Sequence, residues 1–194
     1  MVPPISTRLV TERLVVRPPK TTDVAELRRV LRANHEHLKP WNPAPRPGED
    51  PTSITAVSGT ILRHRREWKA GTSFVFFAAL RESPETIVAK IALNGVLRGA
   101  MHGAYLGYWI DEGHQGRGLA SEAIRSVLDF AFEPAALHRV QAAIMPHNER
   151  SLRVAAKLGM RREGYAVRYL QIAGKWEDHI LFALTREEWP TTPG

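Results

Sequence analysis

The stretch Tyr105–Glu122, YLGYWIDEGHQGRGLASE, limits what this chain can fold into more than any other. It opens as a short apolar run (Tyr105, Leu106, Tyr108, Trp109, Ile110), the length of a buried strand. It breaks at Asp111-Glu112-Gly113, crosses Gln115-Gly116-Arg117-Gly118-Leu119-Ala120, and continues as an amphipathic helix. Strand, glycine-rich loop and helix start are the parts of an anion cradle. Glycines let backbone amides approach a phosphate, and the unpaired amides of a first helical turn hold it. Arg117 would add a charged donor, and a plain strand-to-helix turn is the competing reading. Without Gly-Lys-Ser/Thr the loop is not a P-loop, and without G-x-G-x-x-G after the strand the dinucleotide fingerprint is missing.

The pattern around this unit alternates strand and helix. Arg13–Arg17 reads as a first strand after a loose lead-in over 1–7, and Pro18-Pro19 closes it. Asp23 with Glu26 at N3 predicts a capping box, followed by a helical stripe of Val24, Leu27, Leu31 and Leu38. Arg28, Arg29 and Arg32 fall on that helix's solvated side. The proline-dense stretch 39–51 reads as an ordered loop, with Trp41 either anchoring it in the core or lining a cleft. A helix over 52–69 follows, with Arg63, His64, Arg65 and Arg66 on a solvated face or, as the weaker alternative, a nucleic-acid patch.

Phe74–Leu80 and Ile87–Leu93 predict two strands, and Asn94–Gly103 a loop into the central stretch. Gly118–Phe132 predicts a helix whose stripe is Leu119, Ala123, Val127 and Phe130. Arg139–Met145 then reads as a strand and Arg150–Leu158 as a helix stopped by Gly159. Tyr165–Leu170 and Trp176–Leu184 form a hairpin turning at Ala173-Gly174. This order predicts an α/β fold, one mixed β-sheet of about seven strands with flanking helices, as a single domain over 1–194 with its core at about 8–188.

Composition narrows the chemistry. The chain has no cysteine, so a cysteine nucleophile, thiolate metal sites and disulfides are excluded. No apolar run is long enough to span a membrane and no signal-peptide core stands at the start. A cytoplasmic protein without a membrane partner is the expectation. A formal charge of +7 suits any polyanion and cannot choose among them.

Beyond the glycine loop, Q-x-x-G-x-A at Gln115–Ala120 is joined by Pro146-His147-Asn148-Glu149-Arg150-Ser151 and by Ala156-Lys157-Leu158-Gly159-Met160. These segments resemble the GCN5-related N-acetyltransferases, whose N-x-x-S…A-x-x-L-G-F segment ends in Phe where this chain has Met160. Within that superfamily the chain is similar to the RimJ/RimL branch of ribosomal-protein N-terminal acetyltransferases. Leu38-Lys39-Pro40-Trp41, Val96-Leu97-Arg98-Gly99, Tyr105-Leu106-Gly107-Tyr108, Met145-Pro146-His147-Asn148 and the ending Tyr169-Leu170 through Asp178-His179 carry the likeness to the RimJ type.

The resemblance implies the acetyltransferase fold, acetyl-CoA as co-substrate without a metal, and direct attack of an amine on the thioester. It implies that backbone at Tyr108, Trp109 and Ile110 bonds pantetheine between splayed strands 105–111 and 139–145. Gln115, Gly116, Arg117, Gly118, Leu119, Ala120 and Ser121 would take the pyrophosphate, and Asn148 the cofactor's amide arm. Ser151 becomes the candidate to protonate or hydrogen-bond the departing thiolate, against the plainer role of steadying its helix terminus. Trp41, Asn94, Tyr165 and Tyr169 would line the acceptor side.

The general base stays open among Glu163, His138, His147, His179 and a water relay. An α-amine of pKa near 7.8 is roughly a fifth neutral at about pH 7.2, a lysine near 10.4 under about 0.1%. That favours a protein or peptide N-terminus, alanine of a ribosomal protein by the family's habit, over lysine. The alternatives are a small amine such as an aminoglycoside or polyamine, and a non-catalytic acyl-CoA- or RNA-binding module. Direct nucleic-acid binding is not the expectation, and a monomer or homodimer is.

Overall fold

The computed structural model describes residues 2–190. Eight strands form one sheet in the order β1-β2-β3-β4-β5-β6-β8-β7. They are β1 (Leu9–Val10), β2 (Leu14–Arg17), β3 (Phe74–Leu80), β4 (Ser83–Leu97), β5 (Gly103–Ile110), β6 (Arg139–Ile144), β7 (Arg161–Ile172) and β8 (Lys175–Thr185). The helices are α1 (Val24–Ala33), α2 (His35–Leu38), α3 (Ile54–Ala70), α4 (Leu119–Phe132) and α5 (Glu149–Lys157). The expected mixed sheet is present with one strand more than expected. The extra strand is the two-residue β1, too short to stand out as a pattern.

β3, FVFFAAL, shows why this sheet is covered on both faces. Its buried side chains alternate between two apolar clusters: Phe74 and Phe76 with Ile124, Val127 and Phe130 of α4, and Val75 and Phe77 with Leu27, Val30, Val57 and Ile61 of α1 and α3. Trp68 at the end of α3 joins the first cluster, edge-on to Phe74 and Phe76 with ring centroids 5.0 and 4.9 Å apart. Its indole N–H donates to the Pro3 carbonyl at 2.9 Å, so the lead-in is tied to the core rather than loose. Each such buried ring contributes about 1.5–3 kcal/mol.

Four local expectations are corrected. Asp23 makes no capping box with Glu26; its carboxylate turns back to the Lys20 amide at 2.7 Å and pairs with both Arg17 guanidinium nitrogens at 2.8 Å. The stripe of α1 also takes in Val30: Leu27 and Val30 are buried, Val24 and Leu31 pack partly buried against the same cluster, and Leu38 sits on the separate α2 because Asn34 ends α1. His64 is buried instead of solvated, since it lies one turn from Ile61 and Trp68 on the inner face of α3. Burial, then the nearby Lys90 and Arg63 charges, push its pKa down to about 3. Asn94 lies within β4, not in a loop, paired with Tyr105 of β5. The Asn94-Gly95 pair resembles a turn, but here Gly95 at φ +56° lies in a bulge between Asn94 and Leu97, and the strand runs on.

One strand pair creates the opening that matters. Among the described residues β5 and β6 are the only parallel neighbours, joined across α4, and they pair only through Gly103–Tyr105 with Arg139–Gln141. Beyond that, β5 stays with β4 up to Ile110 and β6 stays with β8 up to Ile144. The sheet therefore splits into a wedge towards the carboxyl ends of two parallel strands, where α/β sheets receive ligands. Backbone groups along Leu106–Ile110 on one side and Ala142–Ile144 on the other face that gap without a ladder partner.

Candidate active site

Two cavities open at the wedge, of about 720 and 680 Å³. They share Trp41, Asn42, Tyr108, Asn148, Ser151 and Val154, so they meet at those residues.

The first cavity lies over the glycine loop. Gly116 and Gly118 take φ +73° and +77°, conformations that side chains rarely adopt, and Gly118 is the residue at which α4 begins. The first-turn amides of Leu119, Ala120 and Ser121 have no helical acceptor of their own and open onto the cavity. A Cβ at Gly118 would sit 3.6 Å from Arg13 Nη2 and 4.0 Å from Lys157 Nζ, so cations flank the turn. Arg150, Arg153 and Lys157 of α5 also line this cavity. Helix dipole, free amides and lysine and arginine side chains make this a place for a polyphosphate.

The loop is held from behind. Arg13 donates to the Arg117 carbonyl at 2.9 Å and to Glu122 at 2.7 Å, while Glu122 also accepts from the Arg13 amide at 2.9 Å and the Thr11 hydroxyl at 2.5 Å. Burial opposes ionisation of Glu122, but these hydrogen bonds outweigh it and keep its carboxyl below the ordinary range. At the loop's entry, Asp111 accepts from Asn34 Nδ2 at 2.6 Å and contacts His114 Nδ1 at 2.6 Å, and the Glu112 amide donates to Asn34 Oδ1 at 2.7 Å. Arg13, Glu122 and Asn34 escaped the sequence reading. Only the fold brings residues this far apart together.

At the junction the Tyr108 hydroxyl donates to Ser151 Oγ at 3.1 Å. Burial first of all pushes the Tyr108 phenol up, so it stays protonated as a donor. The helix-terminus duty that competed for Ser151 belongs to Asn148, which caps α5 by accepting from the Ser151 amide at 3.2 Å. The Ser151 hydroxyl is left facing both cavities.

The second cavity lies on the far side of the wedge, where Asn94, Tyr105, Tyr169 and His179 meet. Gly107 matters here: the side-chain Nδ2 of Asn94 lies 3.5 Å from where a Cβ at Gly107 would stand. Trp41 closes the top of both cavities, 5.6 Å from the His147 ring, and its loop is tied to the β7–β8 turn by the Ala173 amide donating to Asn42 O at 2.9 Å. Trp41 thus lines a cleft rather than entering the core.

Of the residues singled out from sequence, Tyr108, Trp109, Ile110, Gln115, Gly116, Gly118, Leu119, Ala120, Ser121, Asn148 and Ser151 all line the first cavity. Arg117 lines neither; its side chain is exposed and its carbonyl receives Arg13. Trp41, Asn94 and Tyr169 line the second cavity, whereas Tyr165 does not, because its hydroxyl is committed to Asp178 at 2.7 Å. Glu163 is bound by Arg139 and by Arg161, which lower its pKa, and His138 pairs with Glu187 at 3.1 Å.

Residues 13–161 match the family of acetyltransferase (GNAT) domains. The chain is similar to the ribosomal protein uS5-alanine N-acetyltransferase of Escherichia coli (strain K12), with 37% identity over 188 residues, 96% of this chain and 94% of that one. Its structure resembles Mycobacterium smegmatis RimJ in complex with CoA-disulfide, at TM-score 0.90 and 31% identity over 99% of this chain and 93% of that one. It also resembles the ribosomal-protein-S5-alanine acetyltransferase of Vibrio fischeri, at TM-score 0.87 and 29% identity over 95% of this chain and 99% of that one.

Proposed function

The chain belongs to the acetyltransferase (GNAT) family as an acetyl-CoA-dependent N-acetyltransferase, and from that premise we propose that its acceptor is the α-amine of a protein N-terminus beginning with alanine, on a ribosomal protein. The observation that carries this is the makeup of the second cavity. Among the described residues its lining includes no carboxylate; the titratable side chains there are Tyr105, Tyr108, Tyr169 and His179. A polyamine or aminoglycoside carries several positive charges and needs acidic groups to hold it. A peptide end brings one amine followed by neutral backbone, which a tyrosine-lined groove suits. The activity named for the Escherichia coli relative supports the same acceptor, and a ribosomal substrate would place the reaction in the cytoplasm.

In this reading the first cavity holds acetyl-CoA. The amides of Gly116 to Ser121, with Lys157 and Arg13 beside them, receive the pyrophosphate, and the unpaired edge of β5 at Tyr108–Ile110 receives the pantetheine arm. Acetyl-CoA supplies the thioester carbon that the amine attacks. A free amide of that edge is placed to stabilise charge developing on the carbonyl oxygen. Ser151, backed by the Tyr108 phenol, supplies a hydrogen bond and a proton to the departing sulfur. A small first side chain lets the amine come within about 3.5 Å of the carbonyl carbon.

The test is mass spectrometry of peptides incubated with acetyl-CoA. Peptides starting with alanine or serine are expected to gain one acetyl group on the α-amine and to outcompete those starting with bulky residues. Modification chiefly at lysine side chains, or turnover only of a polyamine, would overturn the assignment.

A further inference from the structure

We propose that His179, through Nε2, is the group that takes the proton from the attacking amine; this rests on the N-terminal acceptor reading above. His179 sits on β8 opposite Ala166 and is only 3% exposed. Its Nδ1 lies 2.9 Å from the Glu177 carbonyl oxygen. A carbonyl can only accept, so Nδ1 carries the hydrogen and the neutral ring keeps its lone pair on Nε2. Nothing among the described residues bonds Nε2. The buried side-chain atoms without a partner are His64 Nδ1, His64 Nε2 and Gln141 Oε1, so His179 Nε2 is not sealed in as those are. The second cavity is what it borders.

Position favours the same role. Successive residues of a strand face opposite sides. Phe182, like Tyr108, packs on the cluster beneath α4, so His179, three residues before Phe182, belongs to the opposite face. The acid pair, Tyr108 with Ser151, and His179 therefore approach the wedge from opposite faces of the sheet, which leaves room for the thioester between the group that takes a proton and the group that gives one. The backbone holds this arrangement. A bulge between Ala166 and Leu170, with Arg168 at φ +49°, turns Tyr169 inward until its ring stands edge-on to His179 with centroids 5.9 Å apart. Asp178 fixes that bulge by accepting from the Arg168 amide at 2.7 Å.

The competing groups are committed. Glu163 is tied to two arginines, Asp178 to Arg168 and Tyr165, and His138 to Glu187, while His147 lines only the first cavity. The step balances as follows. The amine nitrogen bonds to the acetyl carbon and passes a proton to His179 Nε2. The carbon–sulfur bond breaks, and the sulfur takes the Ser151 proton, which Tyr108 replaces. Water then returns His179 and Tyr108 to their starting forms.

The test begins with ¹⁵N-labelled protein and long-range ¹H–¹⁵N correlation of His179. Nδ1 is expected protonated and Nε2 bare, and a peptide with a free N-terminal alanine should move the Nε2 resonance while its Nα-acetylated form does not. His179→Gln should lower kcat about a hundredfold with CoA affinity and melting temperature near wild type. Added imidazole should restore part of the rate to His179→Ala. A proton on Nε2 in the free protein, or wild-type kcat in His179→Gln, would overturn the assignment. If the wild-type protein acetylates no peptide N-terminus but does acetylate a small amine, the acceptor reading has failed instead, and the His179→Gln comparison is made with that amine.

Discussion

The two cavities meet at the wedge but are built by opposite means. The first draws on residues close together in sequence: a glycine loop with its following helix turn, and a second helix start at Asn148–Ser151. Its donors are backbone amides and surface cations, all suited to an anion. The second gathers Asn94, Tyr105, Tyr169 and His179 from four different strands. Its groups are side chains, mostly neutral, and its shape depends on two bulges, at Asn94–Leu97 and Ala166–Leu170. A ligand common to many enzymes can be held by a local backbone device. An acceptor that distinguishes one enzyme from another is held by long-range packing.

Gly118→Asp should separate the two most sharply. Its carboxylate would stand beside Arg13 and Lys157, in the place offered to phosphate, and its backbone would be strained at φ +77°. Acetyl-CoA affinity measured by calorimetry is expected to fall more than about a hundredfold, roughly 3 kcal/mol, with the fold intact by circular dichroism. Unchanged affinity would remove the cradle from the comparison altogether. Ser151→Ala probes the shared boundary: kcat should drop about tenfold to a hundredfold with CoA affinity unchanged, since its hydrogen bond strengthens as charge develops on sulfur. Adding Tyr108→Phe should cost little more, because both changes delete one interaction.

The contrast also explains what the sequence disclosed. The glycine loop, its helix and the Asn148–Ser151 turn were legible because their chemistry lies within a few residues. The Arg13–Glu122 clamp and Asn34 were not, since a polar residue's partner across the chain leaves no local mark. Arg117 shows a related effect: its side chain is exposed and its carbonyl accepts from Arg13, so what the loop itself turns towards the cavity is backbone. Glycines at 95, 99 and 103 make the stretch after Leu93 look like loop, whereas pairing with β5 carries Asn94 on as strand. His64 was read as exposed from its charged neighbours, although a single helix turn carries both faces.

Trp41 can weaken the separation. It borders both cavities and is held by the Asn42–Ala173 tie and the His147 ring. Trp41→Ala should raise the peptide KM and the CoA dissociation constant together, by several-fold each, an effect of about 1 kcal/mol. A change confined to one ligand would assign the loop to one cavity.

The smallest effect expected is at Glu122, which touches no cavity and acts through Arg13. Glu122→Gln keeps the shape of the side chain but loses the charge that orders Arg13 against the Arg117 carbonyl. CoA affinity should weaken a few-fold, and peptide KM should stay unchanged, because the clamp lies on the cofactor side only. A second readout is acid stability. The folded-state pKa of Glu122 lies below its unfolded value, so the unfolded chain binds the proton first as pH falls. Its contribution is therefore complete above the ordinary glutamate range and disappears as pH drops through the lowered folded value. Melting curves of wild type and Glu122→Gln should differ at neutral pH and converge in acid, while titrations common to both proteins cancel in the difference. Because Arg13 is 44% exposed, high salt should shrink the gap. A gap that persists in acid would mean that Glu122 holds the loop by shape rather than charge, and the glycine turn would then need no electrostatic support from behind.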